Sequence, residues 1–251
     1  MSVNCGNKNF KRISLALTEN TILAIEDFFY LINRGYKRNR SLDFVTARYK
    51  LGRLERFLLY RSIFDYKTSR IRRKKMVDHR EIRNKELLID GFNVLSTIQS
   101  SLFRDVLVRG TDKIVRDLAA YSRKIKVSKY LLTSLLCLLS YISKVSPRRI
   151  LIVFDSQVSR SSSILFFAKY FSEKMGIVCE GRLEQKTDKY IIDHGKDYII
   201  ASSDSVIIDN VPLIFDLGGK IAEIISMESI IDLSELLEMD ERCCYEKDLS
   251  S

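Results

Sequence analysis

The chain has 251 residues, of which 46% are hydrophobic and 29% are charged. This composition excludes an intrinsically disordered protein, because it supplies enough apolar surface for one large domain or two smaller ones. Lys and Arg outnumber Asp and Glu by 42 to 32, and the excess is concentrated at the start: residues 1–86 hold 21 basic residues and 9 acids, residues 87–251 hold 21 and 23. A basic segment joined to a near-neutral one favours a polyanionic partner, with a merely soluble basic surface as the alternative.

Cysteine usage and hydropathy exclude further classes of protein. The five cysteines are odd in number and show no C-x-x-C spacing, so neither a disulfide framework nor a zinc cluster is indicated. Reduced cysteines are typical of a cytoplasmic protein. Residues 1–11 lack the apolar core of a signal peptide, and the most apolar stretch, Tyr130–Ile142, is too short to span a bilayer. We therefore expect a cytoplasmic protein without a membrane partner.

The N-terminal part of the chain carries apolar positions at helical spacing, which predicts an all-α module. A first helix is expected around Ile22–Ile32, with Thr18 as its N-cap and Gly35 ending it. Two further helices are expected after Ser41 and after Gly52.

A basic run, Arg70–Lys75, follows these helices and has little apolar surface to bury. It is either a strap that contacts phosphates or a solvated connecting helix. Tyr36, Tyr49 and Tyr60 alternate with Arg and Lys in the same module, an arrangement that can stack bases while holding phosphates. Packing of these tyrosines into the core is the alternative.

We divide the chain into a helical basic module with its linker, residues 1–84, and an α/β domain, residues 85–251. Apolar runs in the second part lack polar alternation and are separated by helix-length segments, which is typical of parallel strands buried on both faces. This order predicts a three-layer α/β/α sandwich around a mainly parallel five-stranded sheet. The expected strands are Leu87–Ile89, Ile150–Phe154, Gly176–Cys179, Tyr198–Ser202 and Val211–Phe215. The expected helices are Asp112–Lys126, Lys129–Lys144, Ser161–Met175, Glu184–His194 and residues 227–239.

Polar side chains lie where several of these strands end. Asp90 ends the first strand and is followed by Asn93, Asp155 follows the second strand, and Asp204 follows the fourth; Asp188 opens the short helix. Ligands of open α/β sheets bind beyond the carboxyl ends of the strands. Converging carboxylates repel one another unless a cation lies between them. We therefore expect a divalent cation, Mg²⁺ or Mn²⁺, because hard cations prefer oxygen ligands.

These motifs resemble those of the PIN-like nucleases, in particular the NYN type. The likeness covers residues 86–218 and rests on the D-G-x-N turn, the Asp after the second strand, the Asp that opens the short helix, and the S-S-D after the fourth strand. It implies acids that hold Mg²⁺ or Mn²⁺ and direct a water at a phosphodiester, with the asparagine positioning a water or a phosphate. It also implies a nucleic-acid partner, RNA rather than DNA, and leaves a homo-oligomer open. The positions that correspond to the family's catalytic residues are Asp90, Asn93, Asp155, Asp188 and Asp204; Asp209 and Asp216 are weaker candidates.

The helical module is similar to an uncharacterised family of prokaryotic proteins in which such a module precedes a PIN-like domain. Leu42–Leu51 carries most of this likeness, which extends to Val108–Asp112 and to Arg116-Asp117. The similarity implies the two-part architecture and no established activity.

Three further residues are expected to contact the substrate. Arg109 is a candidate phosphate clamp, because guanidinium groups bind phosphate in a bidentate manner. Ser156 and Arg160 precede the predicted helix Ser161–Met175, whose N-terminal amides and dipole attract phosphate. Plain capping of that helix is the alternative for the serine-rich segment.

The combined prediction is a metal-dependent endoribonuclease whose basic module grips RNA. The alternative is a non-catalytic RNA-binding protein that retains the fold, since Asp188 lies between Lys186 and Lys189 and can be a structural ion-pair partner instead of a metal ligand. Simple nucleotide-binding domains are disfavoured, because no P-loop or G-x-G-x-x-G follows any predicted strand. A Toprim-like module would need a glutamate at the first strand, and an aspartyl phosphatase would need Asp-x-Asp there; the chain has neither.

Overall fold

The computed structural model describes residues 17–118 and 127–234. None of the described helices combines the length and the apolar character that a membrane span requires. The helices are α1 (Glu19–Asn33), α2 (Arg38–Arg48), α3 (Arg53–Ser62), α4 (Tyr66–Lys75), α5 (Gly91–Leu102), α6 (Lys129–Val145), α7 (Ser161–Lys174), α8 (Thr187–His194), α9 (Ser205–Asn210) and α10 (Leu217–Ser226). The strands are β1 (Glu86–Asp90), β2 (Leu107–Arg109), β3 (Val115–Asp117), β4 (Arg149–Asp155), β5 (Cys179–Glu184), β6 (Ile199–Ala201) and β7 (Ile230–Asp232).

The N-terminal part is helical, as predicted. Thr18 caps α1, and its hydroxyl oxygen accepts a hydrogen bond from the backbone N–H of Thr21 at 3.2 Å. Gly35 follows α1 with φ +82°, a conformation that glycine adopts without steric cost. The other two predicted helices are confirmed as α2 and α3, and the basic run forms the second half of α4.

The helical segment and the α/β part share a hydrophobic core. Phe28 of α1 and Leu58 and Leu59 of α3 belong to one buried cluster with Val108 of β2 and with Leu233. Because apolar side chains from both parts fill this cluster, each part covers surface that the other would expose to water. The helices are therefore built onto the α/β part, and β2 lies under them.

The main sheet confirms the α/β class with parallel strand pairing. Within the described residues it has four strands in the order β5-β4-β1-β6, and each neighbouring pair is parallel. The fifth predicted strand, Val211–Phe215, is not among them, which corrects the five-stranded prediction. Ile214 makes only isolated bridges, to Met76 and to Ile200. Pro212 in this run has no N–H to donate to a ladder, which works against continuous pairing.

Helices pack on both faces of the main sheet. Leu87 and Ile89 of β1 lie in a buried cluster with side chains of α5, α6, α7 and α10. Leu88, the residue between them, lies in a second cluster with Ile191 of α8 and Ile207 of α9. Successive side chains of a strand point to opposite faces. The uninterrupted apolar run of β1 is thus explained by burial on both sides.

A second, three-stranded sheet in the described part of the chain has the order β3-β2-β7, and the sequence did not predict it. The helix expected at Asp112–Lys126 is wrong where β3 lies, and residues 119–126 are outside the described residues. The helix expected at 227–239 is wrong at its start, which is a 3-10 turn followed by β7; residues from 235 onward are again outside. Both segments form strands because they pair with β2, β3 in an antiparallel and β7 in a parallel arrangement.

Strand β5 begins at Cys179, where the predicted third strand ended. It pairs with β4 from Cys179 opposite Ile150 to Glu184 opposite Asp155. As an edge strand it carries charged residues rather than an apolar run, which is how proteins discourage edge-to-edge association. Asp155, at the end of β4, therefore lies beside Glu184 at the end of β5. Helix α8 begins three residues after Glu184.

Candidate active site

Parallel pairing places the carboxyl ends of β1, β4, β5 and β6 at one edge of the main sheet. A cavity of about 270 Å³ lies at this edge, and we call it the carboxylate cavity. Each of the five predicted catalytic positions contributes to its wall. The lining residues are Arg61, Asp90, Phe92, Asn93, Ser96, Thr97, Asp117, Asp155, Val158, Thr187, Asp188, Ser203 and Asp204.

Asp90 is the buried acid of the cavity. Its Oδ2 accepts a hydrogen bond from Ser202 Oγ at 2.8 Å, and the same Oγ accepts one from the backbone N–H of Asp204 at 3.1 Å. Burial, together with the negative charges of Asp188 and Asp204, raises the pKa of Asp90 to about 7, against the opposing effect of the hydrogen bond from Ser202. Asp90 can therefore hold or release a proton near neutral pH.

Asn93 ties the turn after β1 to the turn after β6. Its Oδ1 accepts hydrogen bonds from the backbone N–H of Ser203 at 2.8 Å and from Ser203 Oγ at 3.0 Å. Because the carboxamide oxygen is used in this way, the Nδ2 group is what Asn93 can offer to a ligand in the cavity. The D-G-x-N and S-S-D motifs are thus bonded to each other, a link that their spacing in the sequence does not reveal.

Asp155 and Asp204 are oriented by backbone amides. Asp155 Oδ1 accepts a hydrogen bond from the N–H of Gln157 at 2.7 Å. Asp204 is the N-cap of α9, and its Oδ1 accepts one from the N–H of Val206 at 2.7 Å. Each carboxylate is therefore held in one orientation and keeps its second oxygen for a ligand.

Asp188 lies in the first turn of α8 and is an exposed residue. Partial desolvation raises the pKa of Asp188, and the charges of Asp204 and Asp155 raise it further. In the described part of the chain neither Lys186 nor Lys189 forms an ion pair with it, so the ion-pair alternative has no support in this geometry. Together with Asp90, these acids form a chain in which each carboxylate senses the charge of another.

The donor chemistry of the cavity fits a hard divalent cation, since such ions take carboxylate and amide oxygens. No group of three or more His, Cys, Asp or Glu in the described residues forms a ready-made metal site. Mg²⁺ commonly uses one or two carboxylates and completes its octahedron with waters and substrate phosphates. Two of these acids are enough for that mode of binding. The described residues contain no complete set of ligands that could hold a cation by themselves.

Arg61 and Asp117 line the cavity, and neither was among the predicted catalytic or substrate-binding residues, although Arg61 is one of the basic residues that alternate with tyrosines in the helical module. Arg61 comes from the last turn of α3 in the helical segment, and Asp117 ends β3. Asp117 stood in the Arg116-Asp117 pair that marked a family likeness, which was the one available signal. Nothing in the spacing of α3 distinguishes Arg61 from its neighbours, because only tertiary packing brings α3 to the edge of the main sheet.

The three predicted substrate-binding residues lie elsewhere. Arg109 makes ion pairs at 2.7 Å with Glu223 and with Asp232, so its guanidinium group already has two carboxylate partners. The backbone N–H of Ser156 donates to the carbonyl of Glu184. Arg160 occupies the N-cap position of α7 with φ +64° and makes no side-chain capping bond there. None of the three is among the residues that line the described cavity.

The two weaker acid candidates have structural partners. Asp209 receives two hydrogen bonds from Arg72, at 2.7 and 2.8 Å. Asp216 accepts from the backbone N–H of Val115 at 2.9 Å and of Gly219 at 3.0 Å, and so caps α10. Both acids hold elements together and lie outside the lining of the carboxylate cavity.

Comparison with known proteins places the chain among families without an assigned activity. Residues 22–75 match the family described as "Protein of unknown function (DUF434)". The chain is 34% identical over 204 residues to an uncharacterized protein of Methanocaldococcus jannaschii, which covers 80% of this chain and 95% of that protein. No solved structure matches the chain. Residues 79–220, more than half of the chain, match a second family model. The chain therefore belongs to the family described as "Domain of unknown function (DUF5616)".

Proposed function

We propose that the chain is a metal-dependent endoribonuclease of PIN-like fold that hydrolyses RNA phosphodiester bonds at the carboxylate cavity. The observation that carries this proposal is the convergence on one cavity of Asp90, Asp155 and Asp204 at or after the ends of three strands, with Asn93 of α5 and Asp188 of α8. Phosphoryl-transfer sites combine clustered carboxylates with divalent cations in this way. The free cysteines Cys137 and Cys179 are consistent with a cytoplasmic location, which we propose as well.

Mg²⁺ or Mn²⁺ is the cofactor that these side chains would hold. The free oxygens of Asp155 and Asp204 and the carboxylates of Asp90 and Asp188 are the available ligands. When bound, the cation would act as a Lewis acid toward the phosphate. With a pKa of about 7, Asp90 is about half protonated at pH 7. The positive charge of a bound cation would offset the like charges of Asp188 and Asp204 and so favour the ionised form of Asp90.

The chain's own residues would orient the reacting groups. Hydrogen bonds from the backbone N–H groups of Gln157 and Val206 orient the carboxylates of Asp155 and Asp204, and the bond from Ser203 to Asn93 joins the turns after β6 and β1. Asn93 Nδ2 would donate to a water or a phosphate oxygen. Fixed ligands reduce the reorganisation needed when charge develops on the phosphate.

The helical segment supports nucleic acid as the partner. Tyr36 and Tyr60 are 63% and 50% exposed. Arg38 lies 5.7 Å from the Tyr60 ring but donates to the backbone carbonyls of Ile63 and Tyr60, so the exposed Lys37 and Arg40 beside it in the sequence are the cations that can meet phosphates. Exposed tyrosines beside guanidinium groups can stack unpaired bases while binding phosphates, which favours single-stranded RNA. Tyr49 differs from them, because its hydroxyl donates a hydrogen bond to Asp27 of α1 at 2.6 Å. This bond holds the Tyr49 ring against α1.

A non-catalytic RNA-binding protein is the second candidate. The observation that favours it is the lack of any ready-made metal site among the described acids. A protein with this role would bind RNA through the basic helices and leave it intact under every cation.

The test is a cleavage assay with mixed structured and single-stranded RNAs in Mg²⁺, Mn²⁺ or EDTA. We expect cleavage by the wild-type chain in Mn²⁺ or Mg²⁺, and at least a 100-fold loss in Asp90→Asn and in Asp204→Asn, as when one group that stabilises transition-state charge is removed. Asp193→Asn, an exposed acid on α8, is the matched control and should retain wild-type cleavage. RNA bound but uncut in all three conditions would favour the second candidate, and cleavage that survives both aspartate variants would refute the site.

A further inference from the structure

Arg61 is the basic residue that the helical segment delivers into the carboxylate cavity. Its Nε is buried and has no hydrogen-bond partner among the described residues. A buried guanidinium nitrogen without a partner is costly, because it has lost its hydration without replacement. Among the described residues Arg61 is therefore a cavity-lining guanidinium group that can take a partner entering the cavity.

The electrostatic surroundings of Arg61 indicate the charge of that partner. Burial lowers the pKa of Arg61 and the neighbouring Arg116 lowers it further, whereas the charges of Asp204 and Asp117 raise it. The cavity lining thus contains a guanidinium group, Arg61, within electrostatic reach of the carboxylates of Asp204 and Asp117. A phosphodiester that lies between them would meet Arg61 with one oxygen and a carboxylate-bound cation with another.

Hydrogen bonds to the turn between β2 and β3 hold the backbone at the end of α3, next to Arg61. The carbonyl of Ser62 accepts a hydrogen bond from the N–H of Thr111 at 2.9 Å, and Thr111 Oγ1 accepts one from the N–H of Phe64 at 2.9 Å. A Cβ at Gly110 would lie 2.6 Å from the carbonyl oxygen of Ser62, so only glycine allows this approach. The end of α3 is therefore fastened to the turn between β2 and β3, which fixes the backbone from which the Arg61 side chain extends into the cavity.

We propose that Arg61 binds the scissile phosphate of a single-stranded substrate, so that the helical segment completes the active site rather than only gripping RNA at a distance. This inference rests on the proposed function. It replaces Arg109 as the phosphate-binding arginine, since Arg109 is occupied by Glu223 and Asp232.

The experiment compares Arg61→Gln, Arg61→Lys and Arg53→Gln in the full chain. Binding of a fluorescent 12-nucleotide single-stranded RNA is measured against salt in Ca²⁺, which takes carboxylate oxygens with a looser geometry than Mg²⁺. We expect R61Q to reduce the slope of log affinity against log salt by about 0.7, the value for one phosphate contact on a single strand. R53Q removes an exposed arginine from the same helix and controls for general charge.

Cleavage in Mn²⁺ supplies the second readout. R61Q should reduce kcat/KM by about 10- to 100-fold, as expected for the loss of a charge-assisted hydrogen bond, and R61K should recover part of it. If R61Q melts far below the wild type, the comparison moves to R61K, which keeps the charge and loses the planar fork; it should retain the slope and lose part of kcat/KM.

Four results are distinguishable. If R61Q has both a reduced salt slope and reduced cleavage, both proposals are supported. If R61Q has a reduced salt slope but the wild-type chain never cuts RNA, Arg61 is supported as a phosphate ligand and the nuclease is refuted. Cleavage by R61Q and R61K at the wild-type rate with an unchanged slope overturns the role of Arg61 alone. A wild-type chain that neither binds nor cuts the RNA overturns both.

Discussion

Two buried aspartates with raised pKa values serve different purposes in this molecule. Asp216, with a pKa of about 6, gives both carboxylate oxygens to backbone amides of Val115 and Gly219. Asp90, with a pKa of about 7, is hydrogen-bonded by the Ser202 side chain and by the backbone at Asn93, and it lies among like charges. The partners, and not the pKa values, distinguish an acid that caps a helix from one that faces a cavity.

The raised pKa of Asp90 makes the folded state sensitive to pH. Its pKa in the folded chain, about 7, lies above the value near 3.9 of an unfolded aspartate, so its contribution to stability is fully present below about pH 4 and is lost as the pH rises toward 7. In EDTA, Asp90→Asn should therefore be more stable than the wild type at pH 8, by about 2–4 kcal/mol, and nearly equal to it at pH 3.5.

Urea unfolding at the two pH values measures this difference, with Asp193→Asn as the exposed control. The asparagine can still accept the hydrogen bond from Ser202, so that contact is kept. An Asp90→Asn chain that is less stable than the wild type at pH 8 would contradict the assignment of Asp90 as a buried acid whose ionised form destabilises the fold.

At the scale of elements, the turn from β1 into α5 sets the geometry of the cavity. Helix α5 begins at Gly91, directly after Asp90, so the strand passes into the helix without a loop. A Cβ at Gly91 would lie 2.3 Å from Phe154 Cε1 and 2.9 Å from the carbonyl oxygen of Val153. The D-G-x-N motif therefore needs glycine because β4 packs closely against the start of α5.

Gly91→Ala should destabilise the folded chain by about 1–3 kcal/mol, the usual cost of overpacking a buried site. Phe154→Leu makes room for the new methyl group. In a double-mutant cycle, the G91A F154L chain should lose less than the sum of the two single variants. Thermal or urea unfolding of the four chains gives the coupling; strictly additive losses would mean that the Phe154 contact does not determine the glycine.

For the whole molecule, a buried charge network joins the helical segment to the α/β part. Arg72 of α4 donates to Asp112 at 2.9 Å and to Asp209 at 2.7 Å, and its side chain is 3% exposed. Arg116, fully buried, also binds Asp112. Burial opposes ionisation of Asp112, but the two guanidinium groups hold its pKa below its usual range. The Arg72 and Arg116 groups lie 4.0 and 5.0 Å from the Phe64 ring centroid.

Replacing Arg72 should loosen the joint between the two parts. Arg72→Met leaves Arg116 as the arginine that still binds Asp112 and removes the Arg72 partner of Asp209. It should reduce the free energy of unfolding by about 3 kcal/mol. Arg56→Met breaks the exposed pair with Asp43 and should cost no more than about 1 kcal/mol. Urea unfolding compares the two variants, and equal losses would argue against a structural joint at Arg72.

Much of the local structure follows from the sequence. The period of the apolar residues predicted α1, α2 and α3, and the uninterrupted apolar runs predicted β1, β4 and β6. The acids at the ends of these strands meet at one edge because parallel strands share a direction. Strand direction and local periodicity are properties that neighbouring residues determine, so short windows of sequence are sufficient to predict them.

Pairing between distant segments was decided only by the tertiary structure. β3 and β7 are strands because both pair with β2, and β5, which carries charged residues rather than an apolar run, is recognisable only by its register with β4. Packing of α3 against the β2–β3 turn brings Arg61 into the cavity, and ion pairs remove Arg109 from it. The sequence alone thus determined which residues end the strands, whereas packing between remote elements decided which charged groups share the cavity, because side-chain contacts across the fold leave no local period in the chain.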